Sequence, residues 1–492
     1  MATTADDAAA QGALTSAPGP LTATSATPTT VADQGHPQRW RVLAVLGAVA
    51  FMAQLDLFIV NIAVPAIGRS FGGSLTGLSW VLNAYAIVFA ALLVPAGRLA
   101  DHFGRRRFLL VGVTVFTLAS AACAAAPSLG VLVAARALQA VGAALIVPTS
   151  LGLLYPSFPK RQHATVVGIW AGVAAVAGSS GPPVGGLLVG ISWRWIFLIN
   201  VPIGVATLIA GFRLLPEVRA QKGSRLPDGL SAVLLLAAVS LLVLATVEAP
   251  AWGWASTRTV GLLAAGLVAT GLTVLRTVRH PHALIEKALF ASRPFTFATI
   301  ALLAFFVGFA IFLLNGTLFL QDEWHYSAVR AGLAIMPGPV TAAVFAVNAG
   351  RLARRFGRVW PAVTGAACMA IAAIIWLTLT TAQPSYVTEI LPGMIVGGIA
   401  AGLTQAPLFA AAGTLPPDRA TTGSAVLNMA RQVGSAIGVA VVVVIVGTGT
   451  ASTLTGYHHA WAAEAIAGGL AAVAAAGSGL HPRAGARGGS RR

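Results

Sequence analysis

The sequence predicts an all-α polytopic membrane protein with fourteen transmembrane helices, built as two related six-helix halves with two further helices inserted between them. Three observations carry that prediction. Of 492 residues, 57% are hydrophobic and only 9% charged, against about a quarter charged in an ordinary soluble domain. Apolar runs of about 20 residues, long enough to cross a hydrocarbon core roughly 30 Å thick, recur along nearly the whole chain. A turn reading G-R-L-A-D-H-F-G-R at Gly97 to Arg105 returns as G-R-L-A-R-R-F-G-R at Gly350 to Arg358, with seven of nine positions identical.

Taken in order, residues 1–40 are rich in Ala, Thr, Ser, Pro and Gly. They lack the basic stretch followed by an apolar core that marks a cleaved signal, and read as a disordered tail. The first six spans are expected at roughly 42–64, 79–97, 108–126, 130–154, 164–189 and 195–215. The next two, at roughly 229–247 and 259–278, are left over once the repeat is aligned. The last six are expected at roughly 296–319, 331–350, 361–381, 388–411, 421–447 and 459–477. Each copy of the repeated turn then follows the second helix of its half. This sets halves at residues 41–216 and 294–479, an insertion at 217–293 and a basic tail at 480–492.

Orientation follows from the excess of Lys and Arg on cytoplasmic loops. With the N-terminus inside, 25 of the 31 Lys and Arg fall on the inner side or in the tails, and Arg69, Arg194, Arg258 and Arg330 fall outside. Both termini are therefore expected in the cytoplasm and the chain in the inner or plasma membrane. The net charge of +17 belongs to this topology, because the basic residues sit at the ends of apolar runs and form no single face for nucleic acid. Cys123 and Cys368 lie singly inside apolar runs and imply neither a disulfide nor a metal site.

The two remaining basic residues, Arg136 and Arg431, lie inside spans, as does Asp56. Asp56 sits about 14 residues into a helix rising 1.5 Å per residue, hence roughly 9 Å from the outer surface. Arg136 enters from outside and reaches a similar depth of about 9 Å. An ion alone in the bilayer is costly, so the two are expected to pair and to form a proton-coupling site, with Gln139 one turn along as a further partner. Asn428, Arg431 and Gln432 share a helix face. With Tyr85, Gln139, Asn315 and Gln405, Asn428 and Arg431 are candidates for a substrate cavity between the halves. Glu464 is a candidate second titrating group, and an interfacial location would explain it as well. The fifth span is rich in Gly and carries Pro182 and Pro183, a composition that permits close helix approach and favours a kink.

Several stretches resemble a known family. The Gly97 turn resembles the signature loop of the major facilitator superfamily. L-D-L-F-I-V-N-I-A-V-P (Leu55 to Pro65), R-A-L-Q-A-V-G-A-A (Arg136 to Ala144), G-P-P-V-G-G (Gly181 to Gly186), W-R-W-I-F-L-I-N-V-P-I-G (Trp193 to Gly204) and A-R-Q-V-G-S-A-I-G (Ala430 to Gly438) resemble its fourteen-helix drug:proton antiporter branch, the EmrB/QacA type. The resemblance implies the major-facilitator fold and proton-coupled export of lipophilic small molecules, cations among them, by alternating access. It implies Gly97, Asp101, Gly104 and Arg105 as a cytoplasmic gate and Gly181, Pro182, Gly185 and Gly186 as the antiporter-motif helix. No cofactor beyond the proton gradient is implied. The expected partners are small-molecule substrates, protons and lipid, and the expected functional unit is a monomer. The chain departs from the pattern at Phe58, where the branch usually has Thr, at Ala140 and Ala177, where it has Gly, and at Arg354, which stands where the first turn has Asp101.

Other classes fit less well. No G-x-x-x-x-G-K-[ST] stretch occurs, which disfavours an ATP-driven pump, and no H-E-x-x-H or Ser-His-Asp set at plausible depth points to an enzyme. A metabolite exporter or uptake carrier of the same fold, and a non-transporting membrane sensor, remain as alternatives.

Overall fold

The computed structural model describes residues 37–159, 162–217, 228–279, 287–357, 359–415, 417–446 and 453–478. The predicted tails lie almost wholly outside this set. All regular structure among the described residues is helical. The first six spans correspond to α1 (Arg39–Phe71), α2 (Leu75–Phe103), α3 (Arg105–Ala125), α4 (Leu129–Ser157), α5 (His163–Ile191) and the pair α6 (Trp195–Leu198) and α7 (Asn200–Leu214). The next are α8 (Gly229–Trp252) and α9 (Thr257–Arg279). The last six are α10 (Arg293–Leu318), the pair α11 (Ala328–Ile335) and α12 (Pro337–Phe356), α13 (Val359–Leu379), α14 (Leu391–Phe409), α15 (Pro417–Val446) and α16 (Thr453–Gly477). Among the described residues, thirteen helical segments are long and apolar enough to cross a membrane, and α5 carries a shorter apolar stretch at Val176–Ile191. The chain is a multi-pass membrane protein.

Two spans predicted as single helices are broken, each for a local reason. Pro337 has no N–H to continue the ladder, so α11 ends at Ile335 and α12 restarts on the proline. The sixth span breaks at Ile199, because Pro202 has no N–H to bond Leu198 O, and Asn200 becomes the first residue of a new helix. Several helices outrun their apolar windows. The first reaches 33 residues, because backbone hydrogen bonding continues past the hydrocarbon into the polar headgroup layer, where side chains need no longer be apolar.

The helix pairings repeat. In the first set α1 packs on α4, α5 and α7, α2 on α4, and α3 on α4 and α7; in the second α10 packs on α14, α15 and α16, α12 on α14, and α13 on α14 and α16. Between the sets, α2 meets α15 and α5 meets α11 and α12, two seams related by exchange of the sets, and α1 meets α10 and α11 between them. The inserted helix α8 lies over the α2–α15 seam, burying Ala86 and Ile87 with Val243, Val247, Ala436, Ala440 and Val443. Trp80 Nε1 fastens it by donating to Glu248 Oε1 at 3.1 Å. The second inserted helix, α9, packs on α8 and exposes Val260, Leu267, Val268, Val274 and Val278. Arg276 clamps the start of α8 to the end of α9, donating to Asp228 at 2.5 and 2.9 Å. That hydrogen bonding holds the Asp228 carboxyl well below the usual carboxylate range.

Across the other seam, α5 and α11 touch backbone to backbone. A Cβ on Gly186 would stand 2.7 Å from Ala328 O, and one on Gly332 would stand 2.6 Å from Pro182 O. Neither carbonyl belongs to a side chain that could swing away. Gly332→Val is therefore expected to pry the seam open at a cost of about 1–3 kcal/mol, a shift of roughly 5- to 150-fold in favour of conformations with the helices apart. The check is disulfide formation between cysteines placed at Gly190 and Val329, which adjoin across the seam. Undiminished cross-linking in the Gly332→Val background would contradict the close crossing.

Candidate functional site

One polar network lies in the apolar interior of the first helix set. Asp56, Gln139 and Asn200 have no exposed surface and Arg136 has 1%. Arg136 Nη1 donates to Asp56 Oδ2 at 2.6 Å, while Gln139 Nε2 and Asn200 Nδ2 donate to Asp56 Oδ1 at 2.8 and 2.9 Å. The carboxylate thus accepts three hydrogen bonds. Arg136 also donates to Gln139 Oε1 at 2.6 Å and, through Nε, to Val81 O at 3.1 Å. Gln139 Nε2 reaches Ser120 Oγ at 2.8 Å. The Tyr85 ring lies 4.3 Å from the Arg136 guanidinium carbon, with the Phe197 ring behind at 5.7 Å.

The local folding explains the convergence. Arg136 and Gln139 lie three residues apart on α4 and so share its inward face. The break at Ile199 starts α7 on Asn200, turning that side chain toward α1. Groups from α4 and α7 meet at the Asp56 carboxylate of α1, and groups from α2, α3 and α6 surround Arg136 and Gln139. A buried pair like this is favourable only when further hydrogen bonds support it, and Gln139, Asn200 and Val81 O supply them to Asp56 Oδ1 and to Arg136 Nη1 and Nε.

The structure brings together Asp56, Arg136, Gln139 and Tyr85, all selected from the sequence. Asn200 and Ser120 were not selected. Asn200 lies within the quoted W-R-W-I-F-L-I-N-V-P-I-G stretch, and a polar residue in the first turn of an apolar helix, near the depth of Asp56, was the available signal. The other cavity candidates are not gathered into this network. Asn315 Nδ2 donates to Tyr457 O on α16 and Asn428 Nδ2 to Ser424 O on its own helix, while Gln405 is half-buried on α14. Arg431 is 6% exposed and meets the Phe306 ring at 5.8 Å. Glu464 is not interfacial: it is fully buried in the middle of α16, and neither carboxyl oxygen has a partner among the described residues.

The Gly-rich fifth helix packs two ways. A Cβ on Gly181 would stand 2.9 Å from Phe58 Cβ, and one on Gly185 2.5 Å from Ile62 Cγ2, so these glycines receive α1. Gly186, with Pro182 O, meets α11 on the other side. Phe58, in place of a Thr, fills the space with an edge-on contact to Phe309 at 6.0 Å, reaching from α1 to α10.

The arginines of the Gly97 turn find their partners within their own half. Arg105 Nη1 donates to Gly152 O at 2.5 Å and Arg106 Nη2 to Phe212 O at 2.5 Å, which ties the start of α3 to the ends of α4 and α7 in the same half. Phe212 lies in the last turn of α7, where carbonyls lack a helical partner, and Gly152 O is left free because Pro156, four residues on, has no N–H. Gly104 takes φ +116, a backbone conformation that favours glycine; the Glu217 carboxylate lies beside it at the end of a flexible side chain. Gly97 lies against Pro148. The side chains of Asp101 and Arg354 lie outside the described residues.

Comparison with known proteins agrees with this architecture. The sequence model described as Major Facilitator Superfamily matches residues 46–439. The chain is 35% identical over 418 residues to the tetracenomycin C resistance and export protein of Streptomyces glaucescens, covering 83% of this chain and 76% of that protein. It is 35% identical over 403 residues to the multidrug resistance protein Stp of Mycobacterium tuberculosis, covering 81% and 74%. Among solved structures, a bacterial homolog of the human lysosomal transporter Spinster superposes with a TM-score of 0.62 at 15% identity, covering 90% of this chain and 96% of that one. The xylose transporter XylE from E. coli superposes with a TM-score of 0.61 at 14% identity, covering 88% and 96%.

Proposed function

Because the chain belongs to the Major Facilitator Superfamily, we propose that it exports lipophilic small molecules in exchange for protons, as a member of the fourteen-helix drug:proton antiporter branch. The relatives named for antibiotic and multidrug resistance support export over uptake. The proposal divides the chain into halves at 41–216 and 294–479 joined by the insertion at 217–293, with both termini cytoplasmic, the inner or plasma membrane as its site and a monomer as the working unit.

The observation that carries the proton role is the Asp56–Arg136–Gln139–Asn200 network. Protonating Asp56 removes the charge that Arg136 pairs with and weakens the acceptor shared by Gln139 and Asn200. The proton and the arrangement of α1, α4 and α7 are therefore linked. Since α5 packs on both α1 and α11, a shift of α1 has a direct mechanical route to the other half. Gly181, Pro182, Gly185 and Gly186 are the bearing surface of that route. Gly97, Asp101, Gly104 and Arg105 form the cytoplasmic gate, with Arg105 bracing α3 against α4. Two conformations that differ in affinity for proton and cargo then give alternating access.

Proteoliposomes with an imposed pH gradient test this reading. Uphill movement of a lipophilic dye is expected when the gradient is inward for protons relative to dye efflux, and collapse on adding a protonophore. Dye movement indifferent to the gradient would exclude proton coupling.

A further inference from the structure

Resting on the export reading, we infer that the cargo is recognised as a planar aromatic anion, with Arg431 as its counter-charge and Phe306, Phe309 and Phe58 as its apolar faces. Arg431 projects from α15, which packs on α10 and across the seam on α2. It is 6% exposed, and no carboxylate or other acceptor pairs with it among the described residues; its Nε is enclosed without any acceptor. A guanidinium does not give up its proton in a protein, and an unpaired cation at this depth costs several kcal/mol. Arg136, by contrast, donates through Nη1 to Asp56 and Gln139 and through Nε to Val81 O. The difference marks Arg431 as a group whose partner arrives from outside the chain.

The surroundings specify that partner's shape. The Phe306 ring faces the guanidinium at 5.8 Å, and Phe309, one turn further along α10, stacks with Phe305 at 6.0 Å. Phe309 then meets Phe58 of α1 at 6.0 Å. Phe58 and Phe309 are half-buried, and both belong to helices at the junction of the two sets. A flat ring system bearing a carboxylate, sulfonate or phenolate would set its rings against these faces and its charge against Arg431.

Asp56 is committed to Arg136 and offers a cation no free carboxylate. Glu464, whose carboxyl oxygens have no partner among the described residues, places its backbone carbonyl at Gly308, two residues from Phe306 and so on the other side of α10, and it forms no ion pair with Arg431.

Binding by the full-length chain in lipid nanodiscs tests the inference, with anthraquinone-2-carboxylate and 2-(aminomethyl)anthraquinone as probes that share rings and differ in charge. The carboxylate is expected to bind about ten- to a hundred-fold more tightly, the worth of one charge-assisted contact. Arg431→Gln is expected to erase the preference, Arg431→Lys to keep part of it, and Phe309→Ala to weaken both probes alike. Equal or tighter binding of the amine, binding of neither probe, or a preference that survives Arg431→Gln would overturn the inference. Gradient-driven dye export without an anion preference removes this inference and leaves the export reading standing, whereas loss of gradient dependence removes the latter.

Discussion

Asp56→Asn is expected to abolish gradient-driven accumulation of cargo while the chain still inserts and folds. Asparagine matches aspartate in volume and keeps one oxygen to accept from Gln139 and Asn200, which approach Oδ1 at 2.8 and 2.9 Å. It cannot take up or release a proton, so conformational exchange is freed from the pH gradient. Cargo-for-cargo counterflow, which needs no proton, is expected to persist and serves as the folding control. Accumulation at the wild-type rate under a gradient would remove Asp56 from the proton path.

Arg136→Ala is expected to be the most damaging single substitution for stability. It leaves Asp56 charged at 0% exposure without its counter-ion, a change that costs about 3–5 kcal/mol when a buried pair is broken on one side. Combining it with Asp56→Asn removes both charges. The double variant is expected to recover much of the lost stability and none of the coupled transport, so the two effects are strongly non-additive. Denaturant unfolding of the four proteins in one detergent measures the coupling. A loss under about 1 kcal/mol in Arg136→Ala, or simple additivity, would contradict a pair in direct contact.

The charged part of the site was legible in the sequence because a helix has a fixed rise. Two ions entering from opposite ends could be placed at one depth, and the helical period brought Gln139 in with Arg136. Asn200 was harder to see, since its orientation depends on the break at Ile199; Pro202, which has no N–H for Leu198 O, marks that break in the sequence, but a proline alone does not say which way the next side chain turns. The arginines of the Gly97 turn were read for their charge, whereas in the structure they serve as donors to backbone carbonyls at Gly152 and Phe212; a carbonyl partner leaves no trace in side-chain identity. The helix count was readable from hydropathy, and the pairing of the two sets was foreshadowed by one repeated turn. The resting place of α8 was not, because that helix is apolar all round and its pattern favours no particular neighbour.

Where α8 rests makes the two flanks of the molecule unequal. The α2–α15 seam is roofed by a helix fastened through Trp80 and Glu248, while no described helix covers the α5–α11 seam. For a molecule dissolved in the bilayer, the covered flank is a wall and the other a side door. Any cargo that enters sideways from the lipid therefore has one approach, past the glycines of α5 and α11, and the same surface that lets the halves move also faces the membrane.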